Sequence, residues 1–289
     1  MNDKIWNELE HILEYTKEDI VHLIIKLYES SSYKVPIIRR SIYLEQENAE
    51  QLFLDFLRTK LGDSYYQIGK EAIQNRIFRT ENEKGEKYTR SGLDASHEFY
   101  QIELNYNLSD VVTYAHEYTH YLQTNENITI FMLGETIPIF IEQLATFYLK
   151  ELFPNESRVY LCDFERYQWN KEYINNEYVC LCEEHLYTHY SLLTMRYILG
   201  LLIACKLYRD YLLSPKRSLE EAKAFFLAIE QNDFEEAMHT VGLNIHYKNH
   251  KLYYSEDVVR ELIAVYQQHY QQLLNEYYEL RGKRLKFWK

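Results

Sequence analysis

Apolar residues recur along most of this chain every three or four positions, the period of a helix that buries one stripe. Thr16 with Asp19 fits the start of a helix running to about Glu29. A second helix is predicted over about Glu47–Leu61, stopped by Gly62, and a third over about Tyr65–Ile77. Residues Arg79–Ser96 are polar, carry two glycines and predict a loop or hairpin. One segment changes period. Tyr100, Ile102, Leu104 and Tyr106 alternate with Gln101, Glu103 and Asn105, which predicts a half-buried strand. Ser109 or Asp110 is then placed to cap a helix over about Val111–Thr124. On it Val111, Ala115, Tyr118 and Leu122 form a core stripe, and His116, Glu117 and His120 lie on another face.

After a polar loop, helices are predicted over about Ile137–Leu152, Asp163–Glu184, Ser191–Leu213, Leu219–Ile229, Phe234–Val241 and Glu256–Leu280. Ser218 with Glu221 and Asp233 with Glu236 fit capping boxes, and Gly242 and Gly282 fit C-terminal stops. There is no internal repeat, low-complexity tract or obvious linker. The pattern predicts a mainly α fold with a small β-sheet in one domain over 1–289, with a helical N-terminal part at 1–78 and a core at 79–289.

Composition narrows the class. Only 8 Gly and 4 Pro in 289 residues agree with a mostly helical chain. The 29 Tyr supply apolar rings with hydrogen-bonding tips, suited to cores and to wet clefts. A formal net charge of −12 opposes nonspecific nucleic-acid binding, which needs phosphate-neutralising cations. The basic run Arg281–Lys289 reads as a solvated helix end and tail. The start, Met1-Asn2-Asp3-Lys4-Ile5-Trp6, lacks the pattern of a signal peptide. No stretch is expected to span a bilayer; Leu192–Leu207 is short and interrupted by Arg196 and Lys206. Cys162, Cys180, Cys182 and Cys205 lack zinc-knuckle spacing and read as reduced thiols, so a cytoplasmic location is expected.

The most informative residues are His116-Glu117-Tyr118-Thr119-His120, an instance of H-E-x-x-H. Side chains four apart share a helix face, so both imidazoles can reach one metal ion. The glutamate between them lies beside that metal, where it can take a proton from water. A catalytic zinc takes three protein ligands and keeps one position for water. Glu142 is the expected third ligand, because a carboxylate in the apolar run Ile139–Leu149 is costly to bury without a cation. Glu135, in the loop ahead of that helix, is the second candidate.

With these residues in place, the chain resembles the thimet oligopeptidase and oligoendopeptidase F zinc peptidases. Ile102-Glu103-Leu104-Asn105-Tyr106 and Ser109-Asp110-Val111-Val112-Thr113-Tyr114-Ala115-His116-Glu117 are similar to that family's strand and zinc helix. Phe140-Ile141-Glu142-Gln143-Leu144-Ala145-Thr146 resembles its third-ligand helix, and Arg90-Ser91-Gly92 its basic-glycine stretch. His185, Tyr190 and Tyr197 match a histidine followed by tyrosines that contact substrate and oxyanion, and Phe234–Asn244 resembles a later helical segment. The chain departs from the pattern at Thr119, where the family has glycine, and at Thr194, where it has a tyrosine. Members are about twice as long, and the part that walls their deep channel has little counterpart here.

The resemblance implies a gluzincin-type catalytic domain holding one zinc ion through His116, His120 and Glu142, with a peptide or protein substrate. Glu117 is then the general base, and Tyr197, with His185 or Tyr190, the donors to the oxyanion. Glu103 and Asn105 are expected to bind substrate backbone along an exposed strand edge. Asp110 is expected to cap the zinc helix or, alternatively, to orient a ligand histidine. Two other functions compete: a zinc- or peptide-binding module without turnover, and a metal-free helical interaction protein.

Overall fold

The computed structural model describes residues 42–125, 127–156, 158–160, 162 and 189–286, with side chains omitted at 189–195 and 281–286. The helix expected to end near Glu29, the helix over 163–184, His185, Cys180 and Cys182 lie outside them. The described part is mainly helical with small sheets, as the sequence predicts.

The described residues divide into two compact units. One holds the described residues of 42–123, 141–162 and 273–286. It opens with α1 (Gln46–Phe56), which passes into a π-helical turn at Leu57–Leu61 and ends at Gly62. Gly62 has φ 103°, a conformation that suits a residue without Cβ and stops the helix where the sequence expects. Helix α2 (Asp63–Gln74) follows. Strands β1 (Phe78–Arg79), β2 (Gly92–Leu93) and β3 (Tyr100–Gln101) form a sheet in the order β1-β3-β2. The polar stretch between β1 and β2 carries an isolated bridge from Glu81 to Lys87, the expected hairpin in reduced form.

The strand predicted over Tyr100–Tyr106 is shorter and differently used. Only Tyr100–Gln101 pairs as a strand, and β3 is the central one, parallel to β1 and antiparallel to β2. Its flanks are occupied, so the exposed edge expected to bind substrate through Glu103 and Asn105 is absent there. Their amides are engaged as well: Glu103 N–H donates to Ser91 Oγ at 2.9 Å and Asn105 N–H to Asp110 Oδ1 at 2.8 Å. The chain then turns sharply at Tyr106, whose φ of 54° is uncommon for a residue with Cβ, and enters α3 (Ser109–Leu122).

In the other unit, made of the described residues of 124–140 and 189–272, α4 (Ile128–Leu133) fills what the sequence suggests is a polar loop. Asn127 caps it by accepting from Ile130 N–H at 2.8 Å. Helix α5 (Thr136–Leu152) begins one residue past Glu135. Together Ile128–Leu152 are long and apolar enough to cross a membrane by length and composition, which corrects the expectation that no stretch is. Yet 89% of the apolar 18-residue window within it is buried inside the protein, and a core helix has the same composition.

Helix α6 (His189–Leu213) matches its predicted span, and α7 (Pro215–Glu230) starts earlier than expected. Ser218 is therefore not a cap. It lies inside α7, buried, and donates to Leu207 O at 2.8 Å. Asp233 does cap α8 (Phe234–Thr240), accepting from Glu236 N–H at 3.0 Å. Strands β4 (Ile245–Lys248) and β5 (Lys251–Tyr254) form a hairpin absent from the sequence reading. Its two-residue turn has positive φ at both Asn249 and His250, which matches the twist of the flanking strands. Helix α9 (Glu256–Lys286) runs through Gly282, so that glycine is not its stop.

Candidate metal centre

Helix α3 carries the motif, and its approach is fixed by polar contacts at its start. Asp110 accepts from the backbone N–H groups of Asn105 and Asn107, at 2.8 and 3.1 Å. It thus braces the turn before the helix instead of capping the helix or orienting a histidine. Burial raises the Asp110 carboxyl above its ordinary pKa, while those N–H donors pull the other way. Asn107 Oδ1 accepts from Ser109 N–H at 2.9 Å and from its hydroxyl at 2.7 Å. Arg158 Nε adds a third donor to the same oxygen at 3.1 Å.

The rear of α3 packs on α1. Phe53 lies 5.8 Å from the Tyr114 ring and 5.5 Å from the Tyr118 ring. Both tyrosines are buried and satisfied: Tyr114 donates to Glu50 Oε1 at 3.1 Å and Tyr118 to Tyr65 O at 2.9 Å. The predicted stripe is thus present, but burial extends round most of the helix. Thr119 is accommodated where the resembled family has glycine, since its buried hydroxyl donates to Ala115 O at 2.9 Å.

On the remaining face the two histidines converge. His116 Nε2 and His120 Nε2 are 3.1 Å apart, with ring planes at 72°. His116 Nδ1 lies 2.8 Å from Glu142 Oε1, and His120 Nδ1 lies 3.0 Å from Gln123 Oε1. A carboxylate or amide oxygen only accepts, so each Nδ1 is the donor, and a neutral ring that donates there keeps its lone pair on Nε2. Two lone pairs aimed at one another repel unless positive charge, a proton or a metal ion, lies between them. Two nitrogens bound to one tetrahedral zinc at about 2.0–2.1 Å stand about 3.3 Å apart. The observed spacing is close to that value.

His116 and His120 each offer a ligand atom, and together they can hold a metal ion through imidazole donors of the kind that suit catalytic zinc. Glu135 is buried, and its Oε1 pairs with Arg196 Nη2 at 2.8 Å. The approach of α6 to Glu135 depends on Gly200, where a Cβ would stand 2.9 Å from the Glu135 Cβ. Glu142, the expected third ligand, lies against the outer nitrogen of His116.

Glu117 is 6% exposed on the same helix. Burial, then the negative charge of Glu117, then Tyr121 push the Tyr100 hydroxyl up to about 12. That links the start of β3 to the motif's carboxylate. Tyr197 is half-buried on α6, while the side chains of Tyr190 and Thr194 lie outside the described residues. Gln123 does not stand out as a site residue in the sequence; the one signal is a polar residue three positions after His120.

No protein-family profile matches the chain, and no curated protein does. Among solved structures, the chain is similar to a candidate peptidase from Chlamydophila abortus at 13% identity and a TM-score of 0.40. The match covers 92% of this chain and 56% of that one, so the chain spans little more than half the length of its neighbour. At that level of likeness neither fold nor activity carries over.

Proposed function

We propose that this protein is a zinc-dependent endopeptidase. The observation that carries the proposal is the pair of Nε2 atoms 3.1 Å apart on a helix that also bears the buried Glu117. In this reading His116 and His120 hold the ion, and Glu142 orients His116 through Nδ1. Bound there, zinc supplies Lewis acidity toward the scissile carbonyl and acidifies water. Glu117 takes the proton of the attacking water and delivers it to the leaving amine. Tyr197, with Tyr190 and His185, donates to the developing oxyanion, a role carried by the resemblance stated above. The substrate is a peptide or protein, and the location is cytoplasmic.

A mixed peptide library read by mass spectrometry tests this directly. The parent is expected to cut peptides and Glu117→Gln to cut none while retaining zinc. Cleavage by both would remove Glu117 from the chemistry. Cleavage by neither, with zinc bound, would leave a zinc- or peptide-binding module as the better description.

A further inference from the structure

We propose that Gln123 is the positioning residue of His120: it fixes that ring's tautomer and aim, so the two histidines of the centre are held unequally, by a carboxylate on one and a neutral amide on the other. The proposal rests on the zinc reading above and deepens it.

The observation begins at the end of α3. Gln123 has φ −76° and ψ 112°, so the chain leaves the helix there. Its backbone N–H still donates to His120 O at 3.0 Å, which closes residues 120–123 into a tight turn. Residues three apart on a helix face are neighbours, and this turn sets the Gln123 side chain alongside the His120 ring. The result is the 3.0 Å contact from Nδ1 to Oε1.

That contact has a chemical consequence. With the proton held on Nδ1, Nε2 has its lone pair available to a metal. Without Gln123 nothing in this contact fixes the tautomer, and a proton on Nε2 would aim N–H at the ion. On His116 the same task falls to Glu142 at 2.8 Å. A ring that donates to a carboxylate is the more electron-rich ligand, so His116 is the stronger donor of the pair and His120 the weaker. The segment just beyond is anchored separately. Thr124 donates to Glu230 through its N–H at 3.1 Å and its hydroxyl at 2.6 Å, and Asn125 Nδ2 adds a bond at 3.0 Å. Replacing the Gln123 side chain therefore leaves these bonds intact.

The test uses the full chain at one neutral pH. Zinc affinity is measured by competition with a chelator for the parent, Gln123→Leu and Gln123→Glu, and cobalt(II) replaces zinc to give visible spectra. Thermal unfolding of each metal-free protein reports folding. Gln123→Leu is expected to unfold at the parent's temperature, bind one zinc, lose about 10- to 100-fold in affinity and shift the cobalt bands. Gln123→Glu, which restores an acceptor, is expected to recover the affinity. Parent-like affinity and cobalt spectrum in a folded Gln123→Leu would overturn the role of Gln123 and leave the zinc reading standing. So would loss in Gln123→Leu that Gln123→Glu fails to rescue. A parent that binds no zinc would overturn both.

Discussion

At the residue scale, the motif sets two imidazoles on one face, but the identity of the third ligand is a matter of which carboxylate meets which nitrogen. Glu142 contacts His116 Nδ1. Removing a ligand and removing an orienting group have different costs. His120→Ala should abolish tight zinc binding, whereas Glu142→Gln should keep one zinc per chain and weaken it by about 10- to 100-fold. Isothermal titration with zinc distinguishes them, and loss of the zinc in Glu142→Gln would make Glu142 a ligand. His116, Glu117 and His120 were legible because helical spacing alone puts them together. The contact of Glu142 with His116 Nδ1 was not, since only packing decides which way its carboxylate turns. Arg196 was read as an interruption of an apolar run, although its guanidinium meets a buried carboxylate.

At the element scale, most helices were legible because their stripes are long. The failures were short elements fixed by local turns or by partners distant in sequence: β3, α4 and the β4–β5 hairpin. The α3 start is where local chemistry bears most on the centre. Asp110→Ala would leave the backbone N–H groups of Asn105 and Asn107 without their acceptor, at a cost of about 1–3 kcal/mol. Denaturant unfolding should show that loss; an unchanged midpoint would mean that Tyr106 holds its φ of 54° without the brace. Gly200→Ala presses a methyl against Glu135. It should cost about 1–3 kcal/mol of stability, read by denaturant unfolding; an unchanged midpoint would show that this close approach does not matter.

The packing around α3 also makes an alkaline prediction. Burial first, and then the charge of Glu50, raises Tyr114 far above an ordinary phenol; burial does the same for Tyr118, and Tyr100 reaches about 12. Tyrosines in the unfolded chain ionise near about 10. Above that pH the folded state holds protons that the unfolded state releases, so the stability is full below about 10 and lost as pH rises toward about 12. Denaturation midpoints should be flat up to about pH 9.5 and fall beyond it. Midpoints that stay level to about pH 11.5 would contradict these buried phenols.

At the scale of the whole molecule, the mainly helical class followed from period and from few glycines and prolines, and the structure agrees. The division into two compact units has no counterpart in composition, because no Gly-, Pro- or Ser-rich linker marks it. The proposed function requires one metal ion held by the paired histidines of α3. The most direct measurement is metal content after zinc loading and gel filtration, by inductively coupled plasma mass spectrometry, for the parent beside a His116→Ala, His120→Ala double variant. The account predicts one zinc per chain in the parent, with X-ray absorption giving nitrogen ligands at about 2.0–2.1 Å, and none in the double variant. A parent that keeps no zinc, or a double variant that keeps as much, would contradict it.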